Sequence, residues 1–481
     1  MTEKIRNYIN GALVEPAGKK YLDNINPATG EVYSLIPDSD EKDVEEAVKA
    51  AKAAFPGWST MPVSKRSDIL LKISSLIDEN LDRLAMAESI DQGKPLWLAK
   101  AVDIPRARDN FHFYATGAIH LATEAHATED AAINYTLRQP IGIAGCISPW
   151  NLPLYLFTWK IAPALASGNC VIAKPSEITP MTAFLLSDLC IQAGLPKGVL
   201  NIVHGLGPKV GAAIVSHPQI PAVSFTGGTK TGEWIAKTAG PLFKKLSLEL
   251  GGKNPNLIFA DCNFDEAVKT SVNAAFSNQG EICLCGSRIF VEKSIYEKFK
   301  EAFLKRVSTL KVGDPLKDDS RMGAIVSQQH FDKILSYIDL AKQEGGTLLT
   351  GGKSIKMDGK NAKGFFIEPT VFENLPHDCR TNQEEIFGPV VTLSSFETEE
   401  EALMMANSTQ YGLAGTIWTE NLSRAHRVAA KLHSGIIWIN CWLFRDLRTP
   451  FGGMKNSGVG REGGFEALKF FTEEKNVCIK L

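Results

Sequence analysis

The chain has no CxxC pair, and its nine cysteines among 481 residues are thinly spread, with only Cys283 and Cys285 close together. An odd, scattered set supports neither a disulfide framework nor a thiolate zinc site, and it fits a reducing compartment best. HExxH is missing and the histidines are dispersed, so metal-assisted hydrolysis has no visible ligand set. No apolar run approaches the length of a membrane helix, and the start, MTEKIRNYIN, is charged where a signal peptide would be apolar. An excess of one charge is lacking too. A net charge of −2, with acids and bases interspersed, leaves no electrostatic footprint for nucleic acid or an anionic membrane. Repeats and low-complexity segments are absent. These absences set the expectation of a soluble, cytoplasmic protein with neither a nucleic-acid nor a membrane partner.

What the chain does have is ample apolar content, 44%, and a length that implies two or three domains. Short strands at Tyr8–Asn10 and Val14 precede helical patterns at 41–54 and 64–92, the second broken near Asn80. Residues 94–118 continue the helical pattern and carry Arg106 and Arg108 beside Asp103 and Asp109, which reads as a solvated, salt-bridged face. After a strand at 131–138, short apolar strands alternate with helices from Ile141 to Gly252. Such alternation predicts an α/β fold with a doubly wound parallel sheet, whose ligands sit at the carboxyl ends of the strands. A boundary near Gly251 and Gly252 opens a second strand and helix series. The division expected is a nucleotide-binding unit over 1–121 and 141–250, a catalytic unit over 251–440, oligomerisation strands at 122–140 and 466–481, and a channel loop at 441–465 returning to the first unit.

Glycine motifs need care. GVGREG, Gly458 to Gly463, matches GxGxxG, but no strand leads into it and the remaining tail is too short for a βαβ unit, so it reads as a loop. GLGPKVG, Gly205 to Gly211, follows a strand and opens a helix, with a spacing one residue too long. FTGGTKTG, Phe225 to Gly232, also lies between a strand and a helix. Free amides there suit a pyrophosphate, and a simple tight turn suits the string equally well.

The stretch with most chemistry is NQGEICLCGSR, Asn278 to Arg288. It follows a helix in which Val268, Val272 and Phe276 recur at four-residue spacing, and it precedes the strand-like Ile289–Phe290–Val291. Cys283 therefore sits in a loop between helix and strand, where scaffolds commonly present reactive groups. The alternative is one more buried apolar thiol.

PWNLP with Asn151, KPSE with Lys174 and Glu177, FTGG, ELGGKNP from Glu249, NQGEICLCGSR, EEIFGPV with Glu385 and Phe387, and PFGGMKNSG occur in that order. Together they resemble the aldehyde dehydrogenase superfamily from about Asn10 to the C-terminus. The resemblance implies Cys283 as the nucleophile, Glu249 as the general base, and an oxyanion site formed by the Asn151 amide and the Cys283 backbone N–H. On spacing alone, Glu249 could equally be a salt-bridged strand carboxylate. NAD is the implied cofactor, held by Ile147, Ser148, Pro149, Trp150, Lys174, Ser176, Glu177, Gly207, Gly211, Phe225, Thr226, Gly227, Gly228 and Leu250. Glu385 resembles the residue that holds the nicotinamide ribose, with Phe387 near the ring. A carboxylate at 177 would repel a 2′-phosphate, which favours NAD over NADP. Gly228 stands where relatives often have serine, leaving that phosphate contact to backbone.

CWLFRDLRTPFGG, Cys441 to Gly453, with DIPRARDNFHF, Asp103 to Phe113, and ICLC resembles the subgroup acting on muconic semialdehydes, the 2-amino form more closely than the 2-hydroxy form. The resemblance implies that Arg106 and Arg445 grip a substrate carboxylate and that the chain assembles as a dimer or tetramer. Guanidinium groups bind carboxylates bidentately, so two of them favour an anionic aldehyde over an apolar one such as retinal. Read from the residues alone, Arg106 has Asp103 and Asp109 as possible partners, Arg445 has Asp446, and Arg448 competes for the same role. Retention of Cys283, Glu249 and Asn151 together argues against a non-catalytic relative of the fold.

Overall fold

The computed structural model describes residues 3–481, so the first two residues of the charged start lie outside the described residues. Five parallel strands, Ile143–Ile147, Cys170–Lys174, Leu200–Ile202, Ala222–Thr226 and Lys245–Glu249, form the middle of an eight-stranded sheet. The first two of these are buried at every position, which is why they read as unbroken apolar runs rather than alternating ones. Helices Glu41–Thr60 and Pro153–Ala166 pack on them. Strand order reverses between Ile143–Ile147 and Ala222–Thr226, since the chain adds Cys170–Lys174 and Leu200–Ile202 on one side before crossing to the other. A crevice opens at such a reversal, outside the carboxyl ends of the strands.

A second sheet has seven strands, six of them parallel, and includes Pro255–Ile258 and Arg288–Glu292. The helix Phe264–Phe276 lies between these two in sequence and delivers the chain to the Cys283 loop. A third sheet pairs Thr472–Lys480 with Ala132–Pro140, and Ala132–Pro140 with Ala125–Thr128.

Two expectations are corrected. Gly458–Val459, read as loop, is a short strand antiparallel to Leu248 and Glu249. Its two residues satisfy an otherwise open sheet edge and are too few to give a periodic signal. Gly458 lies at φ +154°, and a Cβ there would meet the Leu248 carbonyl oxygen at 2.3 Å, so the close backbone approach requires glycine. The salt-bridged face expected over 103–109 also divides. Arg108 pairs with Asp78 and Asp109 at the surface, whereas Asp103 is fully buried and bonds Lys94 Nζ at 2.7 Å.

Candidate active site

Cys283 is half-buried and stands between a cavity of 560 Å³ and one of 250 Å³, lining both. Its loop is strapped in an unusual conformation. Asn278, Gln279 and Gly280 are all left-handed, at φ +51°, +56° and +74°. Two of the three carry side chains, a cost that persists only where surroundings over-determine it. Here they do. Asn278 Nδ2 donates to the Asn151 and Glu281 carbonyls at 3.1 and 3.2 Å, and Gln279 bonds the backbone of Gly323 and Ala324. The buried Glu281 carboxylate accepts from Gln92 Nε2 at 2.6 Å and from the Val326 amide at 3.2 Å. Downstream, Asn254 Nδ2 donates to the Cys283 carbonyl at 2.7 Å and Trp442 Nε1 to the Leu284 carbonyl at 3.0 Å.

Asn151 is fixed from both ends. Its carbonyl accepts from Lys94 Nζ at 3.0 Å, and one amide proton is spent on the Glu281 carbonyl, also at 3.0 Å. The second amide proton remains for a ligand. Asn151 lines the smaller cavity with Cys283.

The smaller cavity occupies the strand-reversal crevice. Around it stand Pro149, Trp150, Thr226, Gly227, Gly228, Leu250, Glu385 and Phe387. Glu385 accepts from the Gly252 amide at 2.8 Å, and burial raises its pKa. Phe387 is left-handed at φ +63°, its carbonyl held by His330 Nε2 at 2.6 Å. Burial depresses that imidazole to about 4, so it is neutral and its single proton sits on Nε2 to make the bond. Trp150 meets Phe387 edge-on, with 5.2 Å between centroids.

A second cluster lies at the ends of the neighbouring strands, where Ile147 is in register with both Lys174 and Phe225. The Ser148 amide donates to the Lys174 carbonyl at 3.1 Å, and Ser176 Oγ accepts from the Ile178 amide at 3.2 Å. Lys174 Nζ bonds Glu177 at 2.9 Å, and the Gly207 amide reaches the same carboxylate at 3.4 Å. Burial would raise Glu177, but Lys174 overrides it and holds the carboxylate below its usual range. Gly211 lies against the Lys174 side chain. Ser148 Oγ and Thr226 Oγ1, flanking the reversal, are buried without protein partners among the described residues. The chain thus leaves polar atoms open where a dinucleotide would lie, and its residues fit that cofactor.

The larger cavity lies on the other side of Cys283 and is lined by Glu249, Arg106, Tyr155, Trp159, Trp442, Phe451 and Arg445, among others. Glu249 is buried, both carboxylate oxygens lack protein partners among the described residues, and its pKa is raised well above the usual range by burial and then by Glu462. The salt-bridged alternative for Glu249 therefore fails. Burial, followed by Glu385 and Glu249, also pushes the Cys283 thiol up, while Arg445 counteracts. Arg445 bonds no carboxylate among the described residues: Nη1 donates to Tyr155 Oη at 2.6 Å, and its guanidinium lies 4.0 Å from the Phe451 ring centroid. Arg106 also has no ion pair among the described residues and stands 5.8 Å over the Tyr155 ring. Arg448 is exposed and takes Asp446 for itself, and it does not line the cavity.

Sequence reasoning missed Tyr155, His330 and Trp442. Tyr155 carried no signal because every residue of its helix, Pro153–Ala166, is buried, which erases amphipathic periodicity.

The profile of the aldehyde dehydrogenase family matches residues 13–477. A 2-aminomuconic semialdehyde dehydrogenase of Bos taurus is 49% identical over 479 residues, covering 99% of this chain and 98% of the relative. A 2-hydroxymuconic semialdehyde dehydrogenase of Pseudomonas sp. (strain CF600) is 46% identical over 485 residues, all of both chains. Among solved structures, an NAD+ complex of aldehyde dehydrogenase from Bacillus cereus superposes with a TM-score of 0.97 at 38% identity, over 100% of this chain and 97% of that one. With a cysteine loop set between a dinucleotide crevice and a second cavity, and with likeness running the length of the sequence, the chain belongs to the aldehyde dehydrogenase family and is an NAD-dependent oxidoreductase.

Proposed function

We propose that the chain oxidises 2-aminomuconate 6-semialdehyde to 2-aminomuconate, as in tryptophan catabolism through kynurenine. One observation carries the reading: Arg106 and Arg445, neither paired with a carboxylate among the described residues, line the same cavity as Cys283 and Glu249. Unpaired guanidiniums in a partly enclosed cavity are costly unless a ligand anion meets them. A substrate with an aldehyde at one end and a carboxylate at the other satisfies both halves of the cavity. The relatives named for 2-aminomuconic semialdehyde support the amino form. The 2-hydroxy analogue shares the carboxylate and is the second reading, whereas retinal suits the charged lining poorly.

Cys283, once deprotonated, attacks the aldehyde carbon, because the thiolate is the competent nucleophile. The free Asn151 amide proton and the Cys283 backbone N–H receive the developing oxyanion. NAD, when bound, supplies the hydride acceptor. Glu249 then takes a proton from water, which releases the acid from the Cys283 thioester. Lys174 and Glu177 would hold the adenosine ribose, Glu385 the nicotinamide ribose, and backbone at Gly227 and Gly228 the pyrophosphate.

We assign cofactor binding to 1–121 and 141–250, catalysis to 251–440, and a substrate-channel loop returning to the cofactor unit to 441–465. Homo-oligomerisation falls to 122–140 and 466–481, where Ile133, Leu137 and Ile479 are exposed on the third sheet. No helix among the described residues is long and apolar enough to cross a membrane. Nine free thiols favour the cytoplasm.

The test is NADH formation by wild type, Arg106→Ala and Arg445→Ala with 2-aminomuconic semialdehyde and hexanal. Each substitution should lower the ratio of kcat/KM between the two aldehydes by about 10- to 100-fold, the range for a hydrogen bond to a charged group. Equal losses on both aldehydes would leave the chemistry standing and remove the substrate assignment.

A further inference from the structure

Tyr155 stands between the two arginines and belongs to neither the nucleophile loop nor the cofactor crevice. Its hydroxyl accepts the only hydrogen bond that Arg445 makes among the described residues, at 2.6 Å. The face of its ring lies under Arg106, 5.8 Å from centroid to Cζ. Asn110 Nδ2 and Thr158 Oγ1 both donate to the Tyr155 carbonyl at 3.0 Å, and the ring meets Trp159 edge-on. The residue is buried, yet it lines the cavity shared with Cys283.

Two chemical consequences follow. Guanidiniums sharing one cavity repel each other, and the phenol separates them by offering an oxygen lone pair to one and a π-face to the other. A tyrosine hydroxyl also has one proton to donate. Because the oxygen already accepts from Arg445, that proton points elsewhere, and no protein group among the described residues takes it. Withdrawal of electron density toward the guanidinium makes the O–H a better donor.

We propose that Tyr155 is a specificity-determining residue whose hydroxyl is a third donor, beside Arg106 and Arg445, to the carboxylate of an anionic aldehyde. This rests on the carboxylate reading given above. A plain aliphatic aldehyde offers nothing to this proton, so Tyr155 discriminates between aldehydes rather than assisting the chemistry common to all.

The experiment compares wild type, Tyr155→Phe and Arg445→Ala with 2-aminomuconic semialdehyde and hexanal, reading kcat and KM separately. Tyr155→Phe should lower the kcat/KM ratio of the anionic over the neutral aldehyde by about tenfold, through a higher KM for the anionic one. Tyr155→Leu, which also removes the ring, should lose at least as much and stands in if the phenylalanine variant does not fold. A ratio within about twofold of wild type in whichever variant folds, including proportional losses on both aldehydes, overturns the proposal and leaves Tyr155 a packing residue. If Arg445→Ala collapses the ratio and the Tyr155 variants do not, only Tyr155 is dismissed. Should Arg445→Ala leave the ratio unchanged, the carboxylate reading itself fails.

Discussion

The two cavities that meet at Cys283 handle charge in opposite ways. On the cofactor side, charged groups are matched within the protein: Lys174 bonds Glu177, and Glu385 accepts from the Gly252 amide. On the aldehyde side they are left over. Among the described residues Arg106 has no carboxylate, Arg445 has a phenol and aromatic rings but no carboxylate, and both oxygens of Glu249 are unpartnered. A cleft that binds a large ligand through hydroxyls and backbone amides can be electrostatically finished before the ligand arrives. A cavity that recognises one charge and moves one proton, as proposed above, cannot, because its unpaired groups would be the recognition and the chemistry.

The sharpest way to break this contrast is at Cys283, the point both sides share. Cys283→Ala should abolish NADH formation with every aldehyde while the purified protein still binds NAD, measured by quenching of its tryptophan fluorescence. Loss of NAD binding as well would mean that the two cavities are not separable.

Next in size is Glu249. Burial makes it hold its proton, and the Cys283 thiol likewise, so both become competent only as pH rises. Wild-type turnover should therefore climb with pH across the neutral and mildly alkaline range. Glu249→Gln should lower steady-state turnover by about 10²- to 10⁴-fold and leave a rapid burst of NADH before it, because only release of the acid loses its base. Turnover that falls as pH rises through this range would contradict the assignment.

On the cofactor side, the finished pairing predicts a smaller effect. Glu177→Gln removes the charge that would face a 2′-phosphate and should raise kcat/KM with NADP by about tenfold relative to NAD. Smallest of all is Arg448→Ala. Its side chain is exposed and spent on Asp446, and such a solvent-screened surface pair contributes little, so discrimination between aldehydes should move less than about twofold. A larger change would place Arg448, rather than its neighbour Arg445, at the carboxylate.

Much of this arrangement is legible in the sequence, for identifiable reasons. Strand and helix alternation between Ile141 and Gly252 follows from burial of the parallel strands on both faces, and the helix break falls at Asn80 as read. What escapes is whatever depends on distant partners. The left-handed run at Asn278 and Gln279 is held by groups at Asn151, Gly323 and Ala324, none near it in sequence. π-helical turns at Ala99–Asp103 and Gly207–Gly211 have no compositional signature. Which arginines are spent and which are free is likewise invisible locally. Arg106 and Arg108 sit two residues apart, yet only Arg108 finds Asp78, thirty positions away.

The most direct measurement gives wild-type protein, NAD and equal concentrations of 2-aminomuconic semialdehyde and hexanal in one vessel, and follows the loss of each aldehyde. Unpaired arginines in the aldehyde cavity predict that the carboxylate-bearing aldehyde is consumed first and that hexanal persists until it is gone. Faster loss of hexanal would contradict the claim that this cavity is built around an anion.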